Sequence, residues 1–115
     1  MTDAVVVLTT LPSEEEGATL VRALLARGLV ACGTLLPGAR SLYRWEGAIA
    51  DERETVVLLK TVPALTAAIE GAFAELHPYR VPELLVLPVQ GGLPAYLGWI
   101  AGEVADALPP APPRP

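Results

Sequence analysis

Arg40-Ser41-Leu42-Tyr43-Arg44-Trp45-Glu46-Gly47-Ala48-Ile49, then Asp51-Glu52-Arg53, then Thr55-Val56-Val57-Leu58-Leu59-Lys60-Thr61, is the stretch on which the fold turns. Strict alternation puts Ser41, Tyr43 and Trp45 on one face of a strand and Leu42, Arg44 and Glu46 on the other. The Val/Leu-rich run after it reads as a second strand, and the polar Asp51-Glu52-Arg53 between them reads as the turn. Two strands of about ten residues, at roughly 3.3 Å per residue, make a hairpin on the order of 30 Å long. That exceeds the usual strand of about 5–6 residues. Leu42, Tyr43 and Trp45 on one arm and Val56, Val57, Leu58 and Leu59 on the other are more apolar ribbon than two short helices can cover. A long apolar edge invites pairing with another chain, and a closed ring of subunits removes such edges. Self-association is therefore expected; a hairpin folded back on its own sheet is the alternative.

Reading towards the N-terminus, Leu29 to Leu36 is strand-like and is interrupted by Pro37-Gly38. Before it, Ser13 with Glu16 three residues on forms a capping box, and Glu14, Glu15 and Glu16 sit on the positive end of the helix dipole. Ala18, Val21, Leu24 and Leu25 give that helix its apolar stripe, and Gly28 stops it. The β-branched run from Ala4 to Thr10 reads as a strand buried on both faces. Towards the C-terminus, Pro63 opens a helix with Leu65, Ile69, Phe73 and Leu76 on one stripe, ending at His77 before Pro78. Glu83 to Val89 is a fourth strand, and Pro94 opens a third helix with core face Leu97, Ile100, Val104 and Leu108. The order strand–helix–strand, strand–helix–strand plus a helix is the βαββαβ pattern of a ferredoxin-like α+β fold, here with an extended hairpin between the second and third strands. Residues 1–108 are expected to form one domain; 109–115, with five prolines, Ala111 and Arg114, read as an extended, disordered tail.

Composition narrows the function. The chain has 115 residues and a formal net charge of −5, and its eight bases are scattered. A basic patch, the footprint of nucleic-acid binding, is missing from the sequence, so nucleic acid is not an expected partner. The apolar run near the N-terminus is far too short to span a membrane, and with a single cysteine there is no internal disulfide; a soluble, cytoplasmic protein is expected. No nucleophile elbow, phosphate-binding glycine loop or His-Glu-x-x-His string occurs, so no enzymatic activity is expected.

Several strings then coincide in order and spacing: Val5-Val6-Val7-Leu8-Thr9-Thr10, Leu29-Val30-Ala31-Cys32, Leu36-Pro37-Gly38, Tyr43-Arg44-Trp45-Glu46-Gly47, Lys60-Thr61, His77-Pro78-Tyr79, Val81-Pro82-Glu83-Leu84 and Pro94-Ala95-Tyr96-Leu97-Gly98-Trp99. Together they resemble the CutA divalent-cation tolerance family over about Val5 to Ile100. The resemblance implies a ferredoxin-like homotrimer, similar in shape to PII signalling proteins, with the long hairpins packed between subunits. It also implies a response to metal ions and a link to copper(II), with no tightly bound cofactor. The copper ligands assigned in some members are a Cys, replaced here by Thr9, and a His pair whose places are taken by Leu76 and His77.

Soft metals take Cys, His and Met donors, and the chain has one of each: Cys32, His77 and Met1. His77 is the candidate metal ligand and Cys32 the weaker one; their plainer roles are a hydrogen-bonding helix terminus and a small core residue. The resemblance gathers Tyr43, Arg44, Trp45, Glu46, Lys60, Tyr79 and Glu83 near a cleft between subunits. That set reads either as a site for a small molecule or partner protein or as an ion-pair network fixing the assembly.

Overall fold

The structure is a computed structural model, and it describes residues 3–109. Four strands and three α-helices follow in the order β1 (Val5–Leu11), α1 (Glu14–Ala26), β2 (Cys32–Trp45), β3 (Ala48–Thr61), α2 (Thr66–Leu76), β4 (Leu85–Pro88) and α3 (Pro94–Glu103). All pairings are antiparallel, in the sheet order β2-β3-β1-β4. This is the ferredoxin-like arrangement the element order predicts. The expected tail at 109–115 falls outside the described residues except for Pro109.

α1 starts as its sequence dictates. Ser13 Oγ accepts from the Glu16 backbone N–H at 3.1 Å, and its hydroxyl donates to Glu16 Oε2 at 3.1 Å. The glutamate thus returns to the cap side chain. The apolar stripe is rotated from the expected one: Gly17, Leu20, Val21 and Leu24 are buried, whereas Leu25 is exposed and Ala18 only half-buried. The rotation follows from close packing on β2, where a Cβ added at Gly33 would lie 2.7 Å from Val21 Cγ1. α2 behaves as expected, with Ile69 and Phe73 buried and His77 extended ahead of Pro78. Helices α1 and α2 cover one face of the sheet, making a core of Val7, Leu11, Leu20, Val21, Leu24, Val57, Leu59, Ile69 and Phe73. Ile100 and Val104 of α3 close a smaller cluster with Ala4, Ala31, Val62 and Leu65.

The period-2 rule then separates the two faces. Val7, Val57 and Leu59 point at the helices and are fully buried, while Val6, Leu8, Val56 and Leu58 alternate with them on the opposite face and are only half-buried. β1 is therefore covered on one face within the chain, not on both as the apolar run implied. Likewise Val57 and Leu59 belong to the core and not to the uncovered ribbon.

The hairpin also departs from expectation. Its turn is Glu46-Gly47, with φ of 49° and 80°, and not Asp51-Glu52-Arg53, which lies within β3. A two-residue loop with both φ values positive matches the right-handed twist of its flanking strands, and glycine reaches that region without a Cβ penalty. Each strand runs 14 residues, and Pro37-Gly38 is a bulge inside a continuous β2 opposite Thr55. Beyond the bulge, Ala39–Trp45 pairs with Ala48–Glu54, and neither has a further strand at its side. This two-stranded arm draws the molecule out to 55 × 29 × 25 Å. Arg40 and Asp51 brace it with a two-pronged ion pair at 2.9 and 2.8 Å.

Candidate functional site

Where the arm leaves the sheet, a cleft of about 420 Å³ is lined by Thr10, Tyr43, Trp45, Glu54, Tyr79, Arg80, Val81 and Glu83. The bulge creates it. In the core half of β2, odd-numbered residues such as Gly33 and Leu35 face the helices. One extra residue at Pro37-Gly38 inverts that parity, so that Tyr43 and Trp45 share a face with Glu52 and Glu54.

The segment after α2 supplies the other wall. Pro78 forces His77 out of the helix, and the ring anchors the turn. His77 Nε2 lies 3.0 Å from the Thr10 carbonyl and 3.2 Å from Thr9 Oγ1, while Nδ1 accepts from the Tyr79 N–H at 3.1 Å. These partners fix the neutral tautomer with its proton on Nε2. Burial pushes the imidazole below its ordinary pKa, with the Thr10 carbonyl and the charges of Glu54 and Glu16 acting the other way. Tyr79, held by this contact and by ring packing at 5.1 Å from His77, donates its hydroxyl to Glu54 Oε2 at 2.6 Å. Glu54 is 8% exposed. The Tyr79 hydroxyl is pushed well above its ordinary value by burial and then by the hydrogen bond and charge of Glu54; Tyr43 is raised by burial and then by Glu52.

Of the residues expected in a cleft, the structure brings together Tyr43, Trp45, Tyr79 and Glu83. Arg44 lies on the opposite face of the arm, paired with Ile49, and Glu46 is in the turn. Lys60 is at the far end of the sheet, donating to Thr34 Oγ1 at 2.6 Å. Thr10, Glu54, Arg80 and Val81 are additions that sequence reasoning did not make. Glu54 had one available signal, its two-residue spacing from Glu52, which the turn reading of Asp51-Glu52-Arg53 obscured.

Cys32 and His77 do not form one centre, and Met1 lies outside the described residues. Cys32 pairs with Lys60 on the face turned away from α1 and α2, its Sγ 3.6 Å from Tyr96 Oη of α3, while His77 meets Thr9 on the side of α1 and α2. The register separates them by three residues along the strands, on the order of 10 Å, and puts them on opposite faces. Both ring nitrogens of His77 are already engaged, the residue is 7% exposed, and no group of three or more His, Cys, Asp or Glu among the described residues could hold a metal ion. A copper site made by His77 and Cys32 within one chain does not fit this donor geometry.

Fold and site together define a ferredoxin-like protein with an extended hairpin arm and a cleft of aromatic and acidic side chains at the arm's root. The family model for the CutA1 divalent ion tolerance protein matches residues 5–103. A divalent-cation tolerance protein CutA from Salmonella newport (strain SL254) is 48% identical over 98 residues, 85% of each chain. The crystal structure of CutA from Xylella fastidiosa superposes with a TM-score of 0.86 at 39% identity, covering 90% of this chain and 99% of that one. The Archaeoglobus fulgidus protein, described as a periplasmic divalent cation tolerance protein CutA, superposes at 0.84 with 30% identity over 88% of this chain and 98% of its own. The chain belongs to the CutA1 divalent ion tolerance protein family. Among the described residues no helix is long and apolar enough to cross a membrane.

Proposed function

We propose that this chain serves divalent-cation tolerance as a homotrimer in the cytoplasm, acting as a binding and regulatory module and not as a catalyst. The observation that carries the reading is the face of the sheet turned away from α1 and α2, of which α3 covers only one end. Leu36, Leu85 and Leu87 on it are 50%, 53% and 43% exposed, and they adjoin the half-buried Val6, Leu8, Val56 and Leu58. An apolar surface this continuous marks an interface. Two unpaired edges, β2 and β4, flank it, and the arm projects past the subunit with Ile49 at 76% exposure. A closed ring covers the faces and pairs the edges together. The single free thiol, Cys32, accords with a reducing compartment. Sedimentation velocity at micromolar concentration tests the assembly: a species of three times the subunit mass is expected, and a stable monomer refutes it.

The cleft favours a second, more specific reading, a PII-like trimer that takes a small ligand or a partner at the arm's root. Its support is a buried, hydrogen-bonded carboxylate facing a ligand-sized space. Copper(II) binding at His77 would have to break the contacts to Thr10 and Tyr79. Calorimetry with copper(II) on the native protein and on His77→Ala separates the two: uptake unchanged by the substitution is expected, and His77-dependent binding at low micromolar affinity would establish a metal site instead.

A further inference from the structure

We infer that the cleft at the root of the arm is a site for an organic cation, an ammonium group carried on an apolar or aromatic stem. This deepens the reading of the cleft as a ligand site and rests on it. Three aromatic side chains, Tyr43, Trp45 and Tyr79, form its walls, and two carboxylates, Glu54 and Glu83, line it. Ring faces attract cations through their quadrupole, and tryptophan and tyrosine do so best. Glu54 is the anchor. It is more than nine-tenths buried, yet only Oε2 is committed, to Tyr79. A largely buried carboxylate with one oxygen open to a cavity is best satisfied by a charged donor.

The sign of the local field agrees. The charges of Glu52 and Glu54 both raise Tyr43 and Tyr79, though burial is the larger cause in each. Against the three carboxylates stands one guanidinium in the lining, Arg80, which is exposed on the segment that follows α2. An anionic ligand would have to displace that balance and approach Glu54 directly. A hydrated metal ion is also a poor fit. Hard divalent cations take six or more oxygen ligands, whereas the lining offers two carboxylates and largely aromatic surface. A stem of about one ring suits the volume, since its apolar part lies against Trp45 and Val81 while the ammonium reaches inward.

Phenethylammonium is a suitable probe, with phenylacetate as its anionic counterpart and phenethyl alcohol as the neutral one. The readout is Trp45 fluorescence in a Trp99→Phe background, since Trp99 stacks on Tyr96 in α3 and does not line the cleft. At low salt and neutral pH, phenethylammonium is expected to bind saturably and roughly tenfold more tightly than phenylacetate, as one charge-assisted hydrogen bond provides. Glu54→Gln, which keeps the shape and the acceptor for Tyr79, is expected to weaken phenethylammonium by about tenfold while leaving phenethyl alcohol unchanged. If phenylacetate binds as well or better, the cationic class is wrong and the cleft remains a ligand site. If none of the three probes saturates, both the class and the cleft reading fall. Should Glu54→Gln fail to fold, the exposed Glu83→Gln carries the test: a loss of a few-fold for the ammonium alone is expected, and unchanged affinity overturns the assignment.

Discussion

Replacing Tyr79 with phenylalanine isolates the contact on which the cleft is built. The substitution keeps the ring that packs against His77 at 5.1 Å and removes only the hydroxyl that donates to Glu54 at 2.6 Å. No cavity opens, so the cost is that of leaving a carboxylate of 8% exposure without its donor. A hydrogen bond to a charged group contributes roughly 1.5–3 kcal/mol, against about 1 kcal/mol for a neutral pair. The expected loss is therefore about 2 kcal/mol, equivalent to a fall in Tm of about 8 °C for a domain of this size. Urea denaturation followed by tryptophan fluorescence measures it, at one fixed subunit concentration because association stabilises the folded form by mass action. The second half of the experiment repeats the change in Glu54→Gln. There the acceptor is neutral, and the same substitution should cost only about 1 kcal/mol, a coupling of about 1 kcal/mol between the two sites. A loss below about 0.5 kcal/mol in the native background, or equal losses in both backgrounds, would refute a charge-assisted bond between these side chains.

Further outcomes can be checked on the same purified protein. Gly33→Ala puts a Cβ at 2.7 and 2.8 Å from the two methyls of Val21, whose branched side chain has little freedom to yield; a loss of about 1–3 kcal/mol is expected by thermal melting, largely relieved by adding Val21→Ala. Gly47→Ala at φ of 80° should cost about 1 kcal/mol, whereas Glu46→Asn, better suited to positive φ, should be neutral or slightly stabilising in denaturant titration. His77 binds its proton less readily in the folded protein than in the unfolded chain, so unfolding takes up a proton at acid pH. Stability should accordingly be full above the ordinary value of about 6.5 and decline as pH falls below it, and His77→Gln should flatten that part of the profile.

What could be read from the sequence was whatever depends on neighbours along the chain. The Ser13 cap, the stop at Gly28 and the end of α2 before Pro78 are set within four residues, and each is where the spacing placed it. The hairpin was legible as a hairpin, but its turn was not. Asp51-Glu52-Arg53 is polar because the arm has solvent on both faces within the chain, not because the backbone reverses there, and Glu46-Gly47 carries a weak turn signal because glutamate rarely takes positive φ. The cleft needed more than local information. Glu54 matters because Tyr79, 25 residues away, donates to it, and Tyr43 and Trp45 face it because one inserted residue changes their side. Lys60 and Arg44 looked equivalent to these residues in the sequence, and the register sends them elsewhere.

The bulge at Pro37-Gly38 also bears on how this chain can change length over evolutionary time. Beyond it the two strands pair only with each other, so adding two residues to each side of the ribbon leaves the rest of the sheet untouched and every side chain on its own face. Losing a single residue at the bulge is a different event. It would exchange inside for outside along the whole ribbon at a stroke, turning Leu42 and Arg44 towards Glu54 and carrying the tyrosine and tryptophan away. Descendants of this sequence can thus lengthen or shorten the ribbon by two residues a side at a time, while an unmatched loss at its base turns the wall of the cleft to the other face.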